Sequence, residues 1–98
     1  MLARELLEPR SIAVVGGSNN IHKPGGKVLK NLIDGGFTGE LYVVNPKEQE
    51  VQGVSSYASV GDLPNVDLAI LAIAAKHCPE AVETLAQEKG TRGFIVLS

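Results

Sequence analysis

Three short segments are candidates for meeting an anionic ligand. The first is Gly16-Gly17-Ser18-Asn19-Asn20-Ile21, continuing through Lys23 to Gly25-Gly26; the second is Asn45-Pro46-Lys47; the third, by its place at the same edge, is Ala74-Ala75-Lys76, with Ser98 beside it. Glycines let phosphate oxygens approach main-chain N–H groups, and Ser18, Asn19 and Asn20 add neutral donors. Lys23 and Lys47 add positive charge, each charge-assisted bond being worth roughly 1.5–3 kcal/mol. A helix that starts just after Gly26 would point its N–H groups and the positive end of its dipole at the same place. Tight turns also use glycine, but a purely structural turn would not need the eleven residues from Gly16 to Gly26. The chemistry read here is therefore binding of a phosphate-bearing molecule.

The usual NAD fingerprint is absent. The run Gly16-Gly17-Ser18-Asn19-Asn20-Ile21 lacks the G-x-G-x-x-G spacing, and the second apolar run ends in Asn45-Pro46-Lys47 with no acid to bond ribose hydroxyls. A lysine at that point suits an additional ribose phosphate, which leaves NADP or coenzyme A.

The elements that must position these segments follow from the apolar pattern. Ile12–Val15 reads as a buried strand ending in Gly16-Gly17. Lys27 to Gly36 places Val28, Leu29, Leu32 and Ile33 on one helical face, with Gly35-Gly36 as the stop. Leu41–Val44 is a second strand, and Gln52–Tyr57 a weak third. Asp67–Ala75 is the clearest strand, its continuous apolar centre implying burial on both faces. Pro79 suits a first helical position, Ala81, Val82, Leu85 and Ala86 make the next inward stripe, and Gly90 ends that helix. Gly93–Ser98 is a fifth strand, and Leu2–Leu7 a short leading helix. Strands alternating with helices predict an α/β, Rossmann-like, doubly wound parallel sheet of five strands, in the order 3-2-1-4-5 with helices on both faces. Ligands of such sheets sit beyond the carboxyl ends of the strands, where all three candidate segments fall.

Composition closes off other functions. The chain has 98 residues, 9 Lys+Arg against 11 Asp+Glu, and a net charge of −2. One domain spanning 1–98 is expected from the length, and 30 Leu, Ile, Val and Phe residues supply it with a core. A slightly acidic chain with no basic run is a poor nucleic-acid binder. The longest apolar run, Leu68–Ala75, has eight residues where a membrane span needs about 20. Arg4-Glu5 falls where a signal peptide would be apolar, and the single Cys78 allows neither a disulfide framework nor a thiolate metal site. A cytoplasmic setting is expected. His22 lies in the ligand loop, where it could donate to a phosphate but reads as a solvated residue, and His77 precedes a helix away from any carboxylate constellation. Asp67 reads as structural at the opposite edge, and Glu80, Glu83 and Glu88 read as a solvated helix face. No catalytic pair and no metal spacing is present.

Four segments carry a family resemblance: Arg10 to Ser18, Gly36 to Lys47, Val66 to Ile70 and Phe94 to Ser98. Together they resemble the coenzyme-A-binding domain of NDP-forming acyl-CoA synthetases, most of all the ADP-forming acetyl-CoA synthetase type related to the succinyl-CoA synthetase α subunit. The resemblance implies that the glycine loop Gly17–Ile21 holds the CoA phosphates and that Asn45-Pro46-Lys47 approaches the 3′-phospho-ADP part. It also implies that Ile73-Ala74-Ala75 borders the nucleotide or pantetheine path. The family often has Pro where Ala74 stands, and its loop differs around Ile21–Pro24. The phosphorylated histidine and the ATP-grasp domain of such enzymes lie outside this region, so the resemblance implies a module of a larger protein, binding CoA or acyl-CoA without turning it over. Three alternatives stay open: an NADP-binding oxidoreductase domain, the CoA-binding region of a protein lysine acetyltransferase, and a stand-alone regulatory CoA-binding protein.

Overall fold

Short apolar runs of Val, Ile, Leu and Ala form the central strands. The computed structural model describes residues 9–97. Its elements are β1 (Ser11–Val15), α1 (Pro24–Asp34), β2 (Glu40–Val44), β3 (Glu50–Val51), β4 (Val54–Tyr57), β5 (Leu68–Leu71), α2 (Cys78–Glu88) and β6 (Gly93–Val96), with short 3-10 turns at Val60–Asp62 and Ala75–His77. The six strands make one sheet in the order β3-β4-β2-β1-β5-β6. All neighbours are parallel except β3 and β4, which pair antiparallel.

β1 lies at the centre and all five of its residues are buried. Successive side chains point to opposite faces of a strand, so one strand feeds two cores. Ala13 and Val15 pack with Val44, Leu71, and Ala81 and Leu85 of α2. Val14 packs with Val43, Val51 and Leu29 of α1 on the other face. Helices thus cover both faces, as the pattern predicts. The register aligns Val15 with Val44 and with Leu71, Val44 with Tyr57, and Leu71 with Val96. The carboxyl ends of the five parallel strands are therefore level, and everything that follows them emerges at one edge.

The predicted order survives as β4-β2-β1-β5-β6, but the sheet has six strands, not five. The segment expected as one strand over Gln52–Tyr57 is the second half of a hairpin. Val51 pairs with Val54 across the two-residue turn Gln52-Gly53. Both turn residues have positive φ, 52° and 83°, the type I′ geometry that matches strand twist. Glutamine in that region costs roughly 1–2 kcal/mol, so of the two turn residues only Gly53 announces the turn. The strand expected to run to Ala75 stops at Leu71, because both neighbours, β1 and β6, end at that level; the Ala72 N–H still donates to the Val15 carbonyl at 2.8 Å, and the residues after it turn away from the sheet. α1 begins at Pro24, not at Lys27, which shortens the preceding loop to residues 16–23. Ile33 and Ala86, expected on inward stripes, are exposed. The strand expected to reach Ser98 ends at Val96, and both Ser98 and the leading helix over Leu2–Leu7 lie outside the described residues.

The opposite edge of the sheet is tied by Asp67. Its carboxylate accepts from the Arg10 N–H at 2.8 Å, and its own N–H donates to the Ser11 hydroxyl at 2.9 Å. Its carbonyl accepts from the N–H groups of Arg92 and Gly93 at 3.0 and 3.1 Å. One residue thereby fixes where β1, β5 and β6 start, which is the structural role expected of it. Removing the carboxylate in Asp67→Ala should lower unfolding free energy by about 1.5 kcal/mol, the lower end for bonds to a charged acceptor. Urea denaturation checks this against the exposed control Glu83→Ala, and a loss below about 0.5 kcal/mol would contradict the tie.

Candidate functional site

The chain leaving β1 turns at once. Gly16 has φ 90°, a conformation that strongly favours glycine, and its N–H donates to the Val44 carbonyl at 2.9 Å. A side chain there would also collide, since a Cβ would lie 2.3 Å from the Ala72 carbonyl oxygen. Gly25 of α1 packs onto the same spot, with its missing Cβ position 2.0 Å from the Gly16 carbonyl oxygen. Gly26 lies as close to the Asn20 carbonyl, and Gly17 is 2.7 Å at Cβ from Val43 Cγ1. Gly16 and Gly25 are thus required first by backbone packing between β1, β5 and α1, Gly26 by its approach to the loop, and Gly17 by Val43 of β2.

The loop is held by its own polar side chains. The Asn20 N–H donates to Ser18 Oγ at 3.0 Å and the His22 N–H to Asn20 Oδ1 at 2.9 Å. Asn45 Nδ2 donates to the Gly17 carbonyl at 2.9 Å, while Asn45 Oδ1 accepts from the Lys47 N–H at 2.8 Å. Asn45 thus fastens the two expected ligand segments to each other. Much of the polar inventory expected to meet a ligand directly is engaged in shaping the loop. The Ser18 hydroxyl accepts in this arrangement and retains its proton to donate.

A cavity of about 300 Å³ opens where these segments meet. Gly16, Gly17 and Ser18 form one wall, Lys23, Pro24 and Gly25 a second, and Asn45, Pro46 and Lys47 a third, with Ala72 closing it. The N-terminus of α1 enters it with no side chain capping the helix and no acidic residue in its first turn. Its positive end is therefore unneutralised by its own sequence. Lys23 and Lys47 are exposed at the rim. The arrangement can bind an anion through main-chain N–H groups and two ammonium groups.

Not every predicted residue gathers there. Gly26 lies in the first turn of α1 behind Gly25, and Asn19, Asn20 and Ile21 are exposed and do not line the cavity. Ala74 and Ala75 are exposed too, and Ala72 takes the position at the end of β5. Ile73 instead borders a separate cavity of about 600 Å³ on the α2 side, with Val44, Val60, His77 and Thr84. His22 lies over a third hollow of about 500 Å³ beside Lys27 and Val96. The Cys78 thiol donates to the Ala74 carbonyl at 3.7 Å, consistent with a packing role. Tyr42, edge-on to Tyr57 with ring centres 6.0 Å apart, has its phenol pushed above the ordinary value by burial, with Glu40 and Tyr57 adding to the effect.

One residue of the site gives no sign in the sequence. Gln52 sends its side-chain Nε2 to the carbonyls of Ser18 at 2.8 Å and Gly26 at 2.9 Å, and its N–H to Asn19 Oδ1 at 2.7 Å. Only the following Gly53 marks the turn that delivers it.

Comparison with known proteins bears on this site. The CoA binding domain family matches residues 10–98. The chain is 41% identical to acetate–CoA ligase [ADP-forming] II of Archaeoglobus fulgidus over 97% of its own length and 14% of that protein's. It spans between 12% and 22% of the length of the curated relatives it matches. Among solved structures, a dinucleotide-forming acetyl-coenzyme A synthetase 1 of Ca. Korarchaeum cryptofilum, in complex with phosphate and ADP, superposes with a TM-score of 0.88 at 31% identity. That likeness covers 97% of this chain and 20% of that one. A conserved hypothetical protein of Pyrococcus furiosus superposes with a TM-score of 0.76 at 34% identity, over 90% of this chain and 74% of that one.

The packing around Gly16 makes a direct prediction. Gly25→Ala must displace the Gly16 carbonyl and should lower stability by about 2 kcal/mol, within the range for overpacking a tight interior. Chemical denaturation measures it, and an unchanged midpoint would mean that the loop does not lie against α1 as described.

Proposed function

The chain belongs to the CoA binding domain family, and on that premise we propose that it holds coenzyme A or acyl-CoA at the carboxyl edge of its sheet, for an enzyme whose catalytic parts lie elsewhere. The diphosphate lies against Gly16–Ser18 and the first turn of α1, Lys23 adds charge, and Lys47 meets the 3′-phosphate. Asn19, Asn20 and Ile21 shape the loop's outer rim, while Ala74 and Ala75 border the path of the remaining ligand. The observation that carries this reading is the meeting of an uncapped, unneutralised helix N-terminus with two lysines in one cavity at the level of the strand ends.

The parent activity proposed is ADP-forming acyl-CoA synthesis, with acetate the first substrate to try, in keeping with the relatives' names. Such a reaction must activate a carboxylate before the thiol attacks it. The described residues contain no group of three His, Cys, Asp or Glu side chains able to hold a metal ion, and none of the cavity's residues forms a nucleophile–base pair. Activation is therefore assigned to phosphohistidine and ATP-grasp parts supplied by other domains or subunits. No helix among the described residues is long and apolar enough to cross a membrane, and the single cysteine supports a reducing, cytoplasmic setting. A second reading, a small CoA-binding protein acting alone, has one observation in its favour: the Pyrococcus furiosus protein is only modestly longer than the matched region.

Calorimetric titration with CoA, dephospho-CoA and NADPH tests the ligand. CoA should bind, and binding of NADPH alone would overturn the reading. Lys47→Ala should weaken CoA about tenfold, the loss of one charge-assisted contact, and dephospho-CoA far less. Equal losses for both ligands would place Lys47 away from the 3′-phosphate. The 98-residue chain should form no acetyl-CoA from acetate, ATP and CoA; turnover by this chain would refute the division of labour.

A further inference from the structure

We infer that Gln52 is a positioning residue for the bound ligand: it holds the glycine loop and the first turn of α1 in one fixed relation, although it lies outside the cavity. The inference rests on the CoA-binding reading above. Among the described residues Gln52 is the one non-glycine residue at positive φ. The first central position of a type I′ turn is usually Asn, Asp or Gly, which adopt that conformation readily. A glutamine gains nothing locally, so the reason for it lies in what its side chain reaches.

Its side-chain nitrogen has two protons and donates both across the molecule. One bond goes to the Ser18 carbonyl in the loop and the other to the Gly26 carbonyl in α1, at 2.8 and 2.9 Å. The Gln52 N–H binds Asn19 Oδ1 at 2.7 Å, and Asn19 Nδ2 reaches the Glu50 carbonyl at 3.5 Å. The β3–β4 hairpin is thus fastened to the loop from both sides of Asn19. A peptide unit is planar and trans, so fixing a carbonyl also fixes the N–H of the next residue on the opposite side. Gln52 thereby sets the orientation of the Ser18–Asn19 peptide beside the cavity wall and ties it to Gly26 in the first turn of α1, whose following N–H, that of Lys27, is already bonded to the Lys23 carbonyl at 2.9 Å. Asparagine is one methylene too short to span both carbonyls. Glutamate fills the same volume, but its carboxylate would face two carbonyl oxygens.

The test separates fold from positioning. Gln52→Asn and Gln52→Gly both suit the turn, so both should fold, with the thermal midpoint of the free protein recording any structural loss. CoA affinity, measured by calorimetry well below either midpoint, should fall about tenfold in each, equivalent to about 1.4 kcal/mol. A merely structural glutamine would lower the midpoint and leave that affinity unchanged, and affinity within about twofold of wild type in both variants overturns the inference. Amide hydrogen exchange of the unliganded proteins gives a second readout that does not depend on CoA. Exchange at Asn20 and His22, whose N–H groups are bonded within the loop, should quicken in both variants while β1 and β5 stay protected. If wild type fails to bind CoA, the functional reading falls, and this exchange pattern still decides whether Gln52 holds the loop.

Discussion

Three stretches of backbone converge where β1 ends, with no room between them for a methyl group. Gly16 lies under the Ala72 carbonyl at the end of β5, and Gly25 at the start of α1 lies against the Gly16 carbonyl. This contact draws the helix N-terminus down onto the edge of the sheet. It leaves α1 starting only eight residues after Gly16, with its first-turn N–H groups beside the strand ends. Glycine is a poor helix former, and two in succession at the start of α1 are what make the close approach possible. The cavity, its electrostatics and the span between Lys23 and Lys47 all follow from this one steric constraint.

Much of the fold was legible because it is written in local pattern. Ile12–Val15 is fully apolar with three β-branched residues of four, and it became the central strand. Pro79 with Ala81 and Leu85 announced α2, and Gly35-Gly36 announced the end of α1. What was not legible depends on residues far away in sequence. The end of β5 is set by where β1 and β6 stop. The start of α1 was hidden because two successive glycines read as loop until their tertiary contacts are known. The Gln52-Gly53 turn was hidden because glutamine is a poor turn residue, and its justification lies 34 and 26 residues away in Ser18 and Gly26.

The candidate site shows the same division. The segments were legible: the glycine loop and Asn45-Pro46-Lys47 do meet, as strand-end topology requires. The roles within them were not. Asn45 and Asn20 spend hydrogen-bonding capacity on the loop itself, and the glycines serve backbone packing before they serve any ligand. A loop held by its own hydrogen bonds and close backbone contacts offers main-chain donors that need little reordering to meet an anion. Such a site suits recognition of the phosphate end of a ligand.

The central claim, that the anion-binding edge and not either of the larger hollows receives the ligand, is tested most directly by amide chemical shifts of the 15N-labelled chain titrated with CoA. The account predicts saturable shifts that are largest at Gly16, Gly17, Ser18, Gly25 and Lys47, the residues around the 300 Å³ cavity. Shifts confined to the α2-side hollow at Val60, His77 and Thr84, with the glycine loop unmoved, would contradict it.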